Sequence, residues 1–132
     1  MKIESHLENL KESLAVIEES IIKGLLERQR TIGFHTSAAS VDLLEILLHK
    51  GSLIDPGFII KHEWLKSKNT IEEKFPFDFS KKQEILELIY KIEEKRNILC
   101  YGKPQKIETI QEVLNNFNQL KKLFKEAGIN EI

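Results

Sequence analysis

Apolar side chains recur every third or fourth position through the first thirty residues of the chain. This spacing puts them on one face of an α-helix, so the pattern predicts a long amphipathic helix over residues 2–30. Gly33 is expected to break or bend the chain after it. Gly24 costs about 1 kcal/mol relative to alanine inside a helix, so we expect it to mark a close contact with another helix. The predicted inward-facing residues are Ile3, Leu7, Leu10, Leu14, Ile17, Ile21 and Leu25.

A second helix is predicted over residues 34–50, where apolar residues cover more than one face. A helix that is apolar around so much of its circumference is largely buried, so we expect it at the centre of the fold. Thr36 or Ser37 is expected to cap its N-terminus, and Gly51 is expected to end it.

Residues 52–80 show the least regular pattern. Asp55 followed by Pro56 is typical of a helix start, so a short helix is predicted over "PGFIIKHEWL". The next segment, "KSKNTIEEK", is predicted to be a polar connector, and the aromatic loop "FPFDF" is expected to close one end of the core. Ser80 and Gln83 match the spacing of a capping box at the start of the following helix.

Two further helices complete the predicted fold. One runs from about residue 80 to 100, and another follows Lys103-Pro104 from about 106 to 127, with Gly128 as its stop. We find no strand-like alternation and no internal repeat. The chain is therefore predicted to be one all-α domain over residues 1–132. We expect an antiparallel four-helix bundle with an extra short helix and a loop excursion at 52–79.

Composition limits the classes of function. The chain has 132 residues, of which 41% are hydrophobic and 31% charged, as in a soluble domain. Its net charge is -1, so contact with nucleic acid or an anionic membrane would have to come from a local patch. The single cysteine, Cys100, excludes an intramolecular disulfide and fits a reducing compartment. No apolar run is long enough for a signal peptide or a bilayer span, so we expect a cytoplasmic protein without membrane contact.

Histidines and carboxylates raise the question of a metal site. Asp42, Glu45 and His49 are spaced three and four residues apart, so one helix face presents all three. The HExxH and paired Glu-x-x-His patterns of metal-binding helices are absent. A solvated helix face is the favoured interpretation, with His6 on the polar side of its own helix. We expect no metal and no cofactor.

Cys100 is the only cysteine and therefore the only candidate thiol nucleophile. Arg96 lies one turn earlier and would lower the pKa of the thiol, but no histidine base is near in the sequence. A buried free cysteine at a helix end is therefore favoured over a catalytic one. The glycine-rich loops that bind phosphate are missing.

Arg96 interrupts the apolar series of the helix that carries it. One interpretation is a structural arginine near a helix C-terminus that pairs with a carboxylate or extends into solvent. The other is an arginine that emerges into a cleft and binds phosphate through both arms of its guanidinium. Lys95, Lys103 and Lys106 would add positive charge there. The apolar residues of the interrupted series are Ile85, Ile89, Ile92 and Leu99.

The segment "RNILCYG", in which Asn97 follows Arg96, resembles the signature of HEPN domains. These are helical bundles in which an arginine, usually followed by Asn or Asp, is separated by four to six residues from a histidine. The stretch "RTIGFHTSAASVDLLEILLHKGSLID" is similar to their second helix, which is rich in small residues. The resemblance implies a homodimer with a shared cleft between the arginine-bearing helices. In active members this cleft cleaves RNA without a metal: the arginine stabilises the phosphate, the histidine transfers a proton and the 2′-OH attacks.

Tyr101 occupies the first position allowed to that histidine, and Gly102 and Lys103 take the next two. Tyrosine titrates at about pH 10, so it is a poor base at neutral pH, although it can donate a hydrogen bond to phosphate. We therefore expect Arg96, Asn97 and Tyr101 to form a cleft that binds nucleotide or RNA, with weak or absent cleavage. Some HEPN proteins are toxins that work beside a nucleotidyltransferase antitoxin, so the resemblance implies such a partner. The alternative is a non-catalytic helical protein-interaction module.

Overall fold

The computed structural model describes all 132 residues and is entirely helical, which confirms the all-α prediction. It contains no β-strand. A short 3₁₀ helix, His62–Lys66, lies in the segment between α2 and α3. No helix combines the length and the apolar composition that a membrane crossing requires. The five α-helices are α1 (Ile3–Lys23), α2 (Gln29–Lys50), α3 (Lys68–Lys74), α4 (Lys82–Tyr101) and α5 (Ile107–Glu126).

Helix α2 lies at the centre of the core, as its wide apolar surface predicts. It packs against α1, α4 and α5, and every residue from Val41 to Leu48 is buried. Its polar members Asp42 and Glu45 are buried with the rest, which a purely apolar pattern does not anticipate. Chemical groups on α2 are therefore held rigidly between neighbouring helices.

The chain reverses at Gly24 and not at Gly33, so the predicted end of the first helix was wrong. Gly24 adopts φ 134°, a conformation that side chains rarely take, and it caps α1. Gly33 lies inside α2, where a β-carbon would stand 2.6 Å from Cβ of Leu99 on α4. Because Gly33 has no side chain, α2 and α4 approach closely at this residue, and the chain does not turn there. Because α2 begins earlier than expected, Thr36 and Ser37 are buried inside the helix and do not cap it.

The excursion between α2 and α4 differs from its prediction in two places. After Asp55 the chain makes a turn, in which Asp55 Oδ1 accepts the Gly57 N–H at 2.8 Å, and helical structure begins only at His62. The predicted polar connector forms α3 instead, capped by Ser67, whose Oγ accepts the Thr70 N–H at 3.4 Å. A side-chain cap of this kind supplies one of the hydrogen bonds that a helix N-terminus lacks.

The aromatic loop after α3 packs on the core as expected. Phe75 is fully buried, and Phe77 and Phe79 pack against the core from the loop. The predicted capping box at Ser80 was wrong: Lys81, in a left-handed conformation with φ 62°, precedes α4, and no side chain caps the helix. At the other end of the chain, Gly128 has φ 107° just after α5, in agreement with its predicted role as a stop.

Candidate functional site

Arg96 is half-buried on α4, and its charge is not neutralised within the chain. The guanidinium carbon lies 5.7 Å from the centre of the Phe34 ring on α2. No carboxylate lies within ion-pairing distance of it, and its Nε is buried without a hydrogen-bond partner. Arg96 therefore does not form the carboxylate ion pair that is one of the two forms of its structural interpretation.

A second arginine, Arg30, accompanies Tyr101 at the end of α4. Its guanidinium carbon lies 5.8 Å from the centre of the Tyr101 ring, which is 69% exposed. The two side chains border a surface cavity of about 470 Å³, which also contacts Leu26, Gln29 and Cys100. Arg30 was not singled out from the sequence, because nothing in the pattern links the first turn of α2 to the last turn of α4.

The other predicted site residues surround this region without converging on it. Asn97 and Lys103 are exposed and Lys95 is half-buried, and none of the three borders the cavity beside Tyr101. A larger cavity of about 780 Å³ lies between α3 and the first half of α4. It contains neither arginine nor histidine, so its chemistry gives no reason to place the site there.

A histidine, His62, is oriented by a carboxylate that lies one helical turn before Arg96 on α4. Glu93 is buried on α4, three residues before Arg96, and its Oε2 lies 3.0 Å from Nδ1 of His62. Ser37 on α2 donates to the same oxygen at 2.7 Å. The side chain of His62 is 34% exposed, so it is both oriented and accessible. This is the arrangement of a histidine prepared for proton transfer.

The sequence contained the parts of this arrangement but not their proximity. His62 and Glu93 are 31 residues apart, and the first lies in the irregular excursion. No local sequence pattern links the two residues. One signal that could have found Glu93 is its place among inward-facing residues of α4, since a buried carboxylate requires a partner.

Cys100 is buried, and its environment does not activate the thiol. Burial raises the pKa of Cys100, and the nearby charges of Arg96 and Arg30 oppose this without reversing it. Its Sγ lies 3.6 Å from the carbonyl oxygen of Arg30, to which the thiol donates a weak hydrogen bond. A protonated thiol is a poor nucleophile, which favours a structural role.

Asp42 and Glu45 form a second polar cluster with His6, so the predicted solvated face was wrong. His6 projects from α1 between them, with its Nδ1 2.8 Å from Asp42 Oδ1 and its Nε2 2.7 Å from Glu45 Oε2. All three residues are buried. Burial alone would lower the pKa of His6, but the adjacent carboxylates of Asp42 and Glu45 outweigh burial and raise the pKa to about 9.

Comparison with known protein families, with curated proteins and with solved structures finds no significant match to this chain. We therefore infer the function from the residues and their geometry, together with the resemblance of the "RNILCYG" segment.

Proposed function

We propose that the chain is a HEPN-like homodimer whose four long helices form an antiparallel bundle, and that its Arg96 face binds the phosphate of a nucleotide or RNA. The observation that carries this proposal is the buried, unpartnered Nε of Arg96. A buried polar nitrogen without a partner costs free energy, and few such groups remain in folded proteins. We propose that the Arg96 side chain turns outward to expose this nitrogen, and an oxygen of a bound phosphate would then satisfy it, since guanidinium groups match phosphate geometry.

The neighbouring residues support an anion in this place. Arg30 and Arg96 both project from the region where α2 and α4 pack together, and each lies over an aromatic ring and not beside a carboxylate. A cation–π contact leaves the hydrogen-bond donors of the guanidinium edge available. Tyr101 is exposed between these groups and a surface cavity, where its hydroxyl is able to donate to the same anion.

Dimer formation is proposed through the same face. Apolar side chains are exposed around the arginines, among them Leu26, Phe34 and Ile98. Clusters of exposed apolar side chains typically mark interaction surfaces. A second copy of the chain would cover them and bring a second Arg96 to the shared cleft, which is the geometry that the HEPN resemblance implies.

His62 is the group best suited to proton transfer in this cleft. Tyr101 stands in the position of the HEPN histidine and is a poor base at neutral pH. His62 is held by Glu93, one turn from Arg96, and its imidazole is accessible. We therefore propose that any RNA cleavage is weak, with Arg96 stabilising the phosphate and His62 accepting the proton of the attacking 2′-OH. A toxin–antitoxin pairing with a nucleotidyltransferase belongs to the same proposal.

The test is cleavage of a labelled RNA pool by purified protein in EDTA. We compare the wild type with Arg96→Ala, Tyr101→His and His62→Gln, and use His35→Gln as a matched control for loss of a histidine. We expect slow cleavage that is lost in Arg96→Ala and His62→Gln, unchanged in His35→Gln and faster in Tyr101→His. If the wild type is inactive and Tyr101→His is active, the result would support the cleft at Arg96 and contradict the proposed role of His62. Silence in all variants, with no RNA binding, would favour the protein-interaction module.

A further inference from the structure

The buried cluster around His6 has the features of a metal site. One ligand atom from each of His6, Asp42 and Glu45 lies within 4.8 Å of the others. The three residues are between 2% and 8% exposed, so water does not solvate them freely. They join α1 to the middle of α2, where Asp42 and Glu45 follow Phe34 by about two to three helical turns, roughly 12–17 Å along the helix. The cluster therefore lies apart from Arg96, although the charge of His62 is near enough to act on Asp42.

Second hydrogen bonds orient two of these side chains. Nδ1 of His6 is bonded to Asp42 Oδ1, which leaves Nε2 as the free nitrogen of the ring. Oε1 of Glu45 accepts the backbone N–H of Ile60 at 2.9 Å, which leaves Oε2 as the free oxygen. Outer hydrogen bonds of this kind hold metal ligands in position and are characteristic of metal sites.

The two free atoms face each other without forming a proper hydrogen bond. Nε2 of His6 lies 2.7 Å from Oε2 of Glu45, yet the contact is not aligned as a hydrogen bond and Nε2 has no partner. Few buried nitrogens in folded proteins lack a partner. The nitrogen of His6 and the oxygen of Glu45 are therefore two potential ligand atoms directed toward the same space.

His49 offers a third ligand from the next turn of α2. It follows Glu45 by four residues, and its Nε2 is also buried without a partner. The centres of the His6 and His49 rings are 5.9 Å apart. Two imidazoles bound to one tetrahedral zinc ion, with Zn–N bonds of about 2.0–2.1 Å, have ring centres roughly 5.2 Å apart, so His49 reaches the same ion as His6 after a shift of less than about 1 Å. His49 also borders a surface cavity of about 340 Å³, which gives an ion a route from solvent.

We propose that this cluster binds one divalent transition-metal ion of the zinc type. The ligands are Nε2 of His6, Oε2 of Glu45 and Nε2 of His49, and Asp42 is a positioning residue that holds the ring of His6. Two imidazoles and one carboxylate suit zinc better than magnesium or calcium, which prefer oxygen ligands alone. The ion ties α1 to α2, and three protein ligands leave a coordination position open.

The experiment uses full-length protein freed of metal with a chelator and then titrated with Zn²⁺ in competition with a chromophoric chelator. Co²⁺ added to a second sample reports the coordination by its visible absorption. We expect one ion per chain in the wild type and at least tenfold weaker binding in His6→Gln, Glu45→Gln and His49→Gln. His35→Gln, which removes a histidine outside the cluster, is expected to bind like the wild type.

Asp42→Asn tests the positioning role. Loss of an outer partner typically weakens metal affinity about 10–100-fold, so Co²⁺ should still bind at high concentration with an altered spectrum. Because His6 is buried and its variant could unfold, circular dichroism accompanies each titration and the half-buried His49 supplies a second variant. Absence of an ion from folded wild type would overturn the proposal and leave His6 as an imidazolium between two carboxylates. Equal binding by wild type and folded His49→Gln would overturn it as well.

Discussion

Substitution of Gly33 by alanine measures how closely α2 and α4 approach each other. Alanine favours an α-helix over glycine by about 1 kcal/mol, so in an open helix the change would stabilise the protein. In this structure the added β-carbon would stand 2.6 Å from Cβ of Leu99 and 3.3 Å from its Cδ1. Both β-carbons are attached directly to rigid helix backbones, so no flexible side chain can relieve the contact.

The expected result is a net loss of stability. Overpacking of a core by one carbon costs typically about 1–3 kcal/mol, because the helices must move apart. After subtraction of the helix-propensity gain of about 1 kcal/mol, the free energy of unfolding should fall by up to about 2 kcal/mol. Separation of α2 from α4 would also disturb Arg30 and Tyr101, which lie over the same contact.

Urea denaturation followed by far-UV circular dichroism gives the free energy of unfolding of the wild type and Gly33→Ala. Gly51→Ala is the matched control, since a β-carbon there meets only ordinary contacts at 3.5 Å or more and its backbone suits alanine. A Gly33→Ala protein that is more stable than the wild type by about 1 kcal/mol would refute the close packing of α2 on α4.

Three further measurements test other parts of the structure. In metal-free protein the pKa of His6 is raised from 6.5 to about 9, so its contribution to stability is complete below pH 6.5 and is lost as the pH rises through 9. Denaturation over this range should show the loss in the wild type and not in His6→Gln. Gly24→Ala should cost about 1–3 kcal/mol in the same assay, since φ 134° strains any other residue; a cost as small as that of Gly51→Ala would contradict the turn. Cys100, whose pKa is raised by burial, should react with iodoacetamide much more slowly in folded than in denatured protein. Equal reaction rates would show that the thiol is accessible to solvent and would contradict its burial.

Regular periodicity was sufficient to predict most of the helical structure. The apolar spacing of α4 and α5 predicts both helices nearly to their ends, and the wide apolar surface of α2 predicts its burial. The errors lie at glycines and short polar segments. Gly24 and Gly33 look alike in a sequence, yet one supplies a positive φ and the other supplies space, and only the packing of α2 on α4 distinguishes them.

The polar clusters were harder to predict, because each is assembled from distant parts of the chain. Arg96 was found because it interrupts an apolar series, which is a local signal. His62 meets Glu93 across 31 residues, and His6 meets Asp42 across 36. A single sequence has no local pattern that reports such contacts, and a buried carboxylate on a helix looks the same as a solvated one until its neighbours are known.

The most direct test of the proposed function is binding of a labelled oligoribonucleotide, measured by fluorescence anisotropy for the wild type and Arg96→Lys. Lysine keeps the charge but not the two-armed geometry, so a phosphate held by the guanidinium should lose about 1.5–3 kcal/mol of binding free energy. This corresponds to a Kd increase of roughly tenfold to a hundredfold. Arg28→Lys, which changes an exposed arginine outside the ring contacts, should bind like the wild type. If Arg96→Lys also binds like the wild type, Arg96 does not hold the phosphate and the proposed function is contradicted.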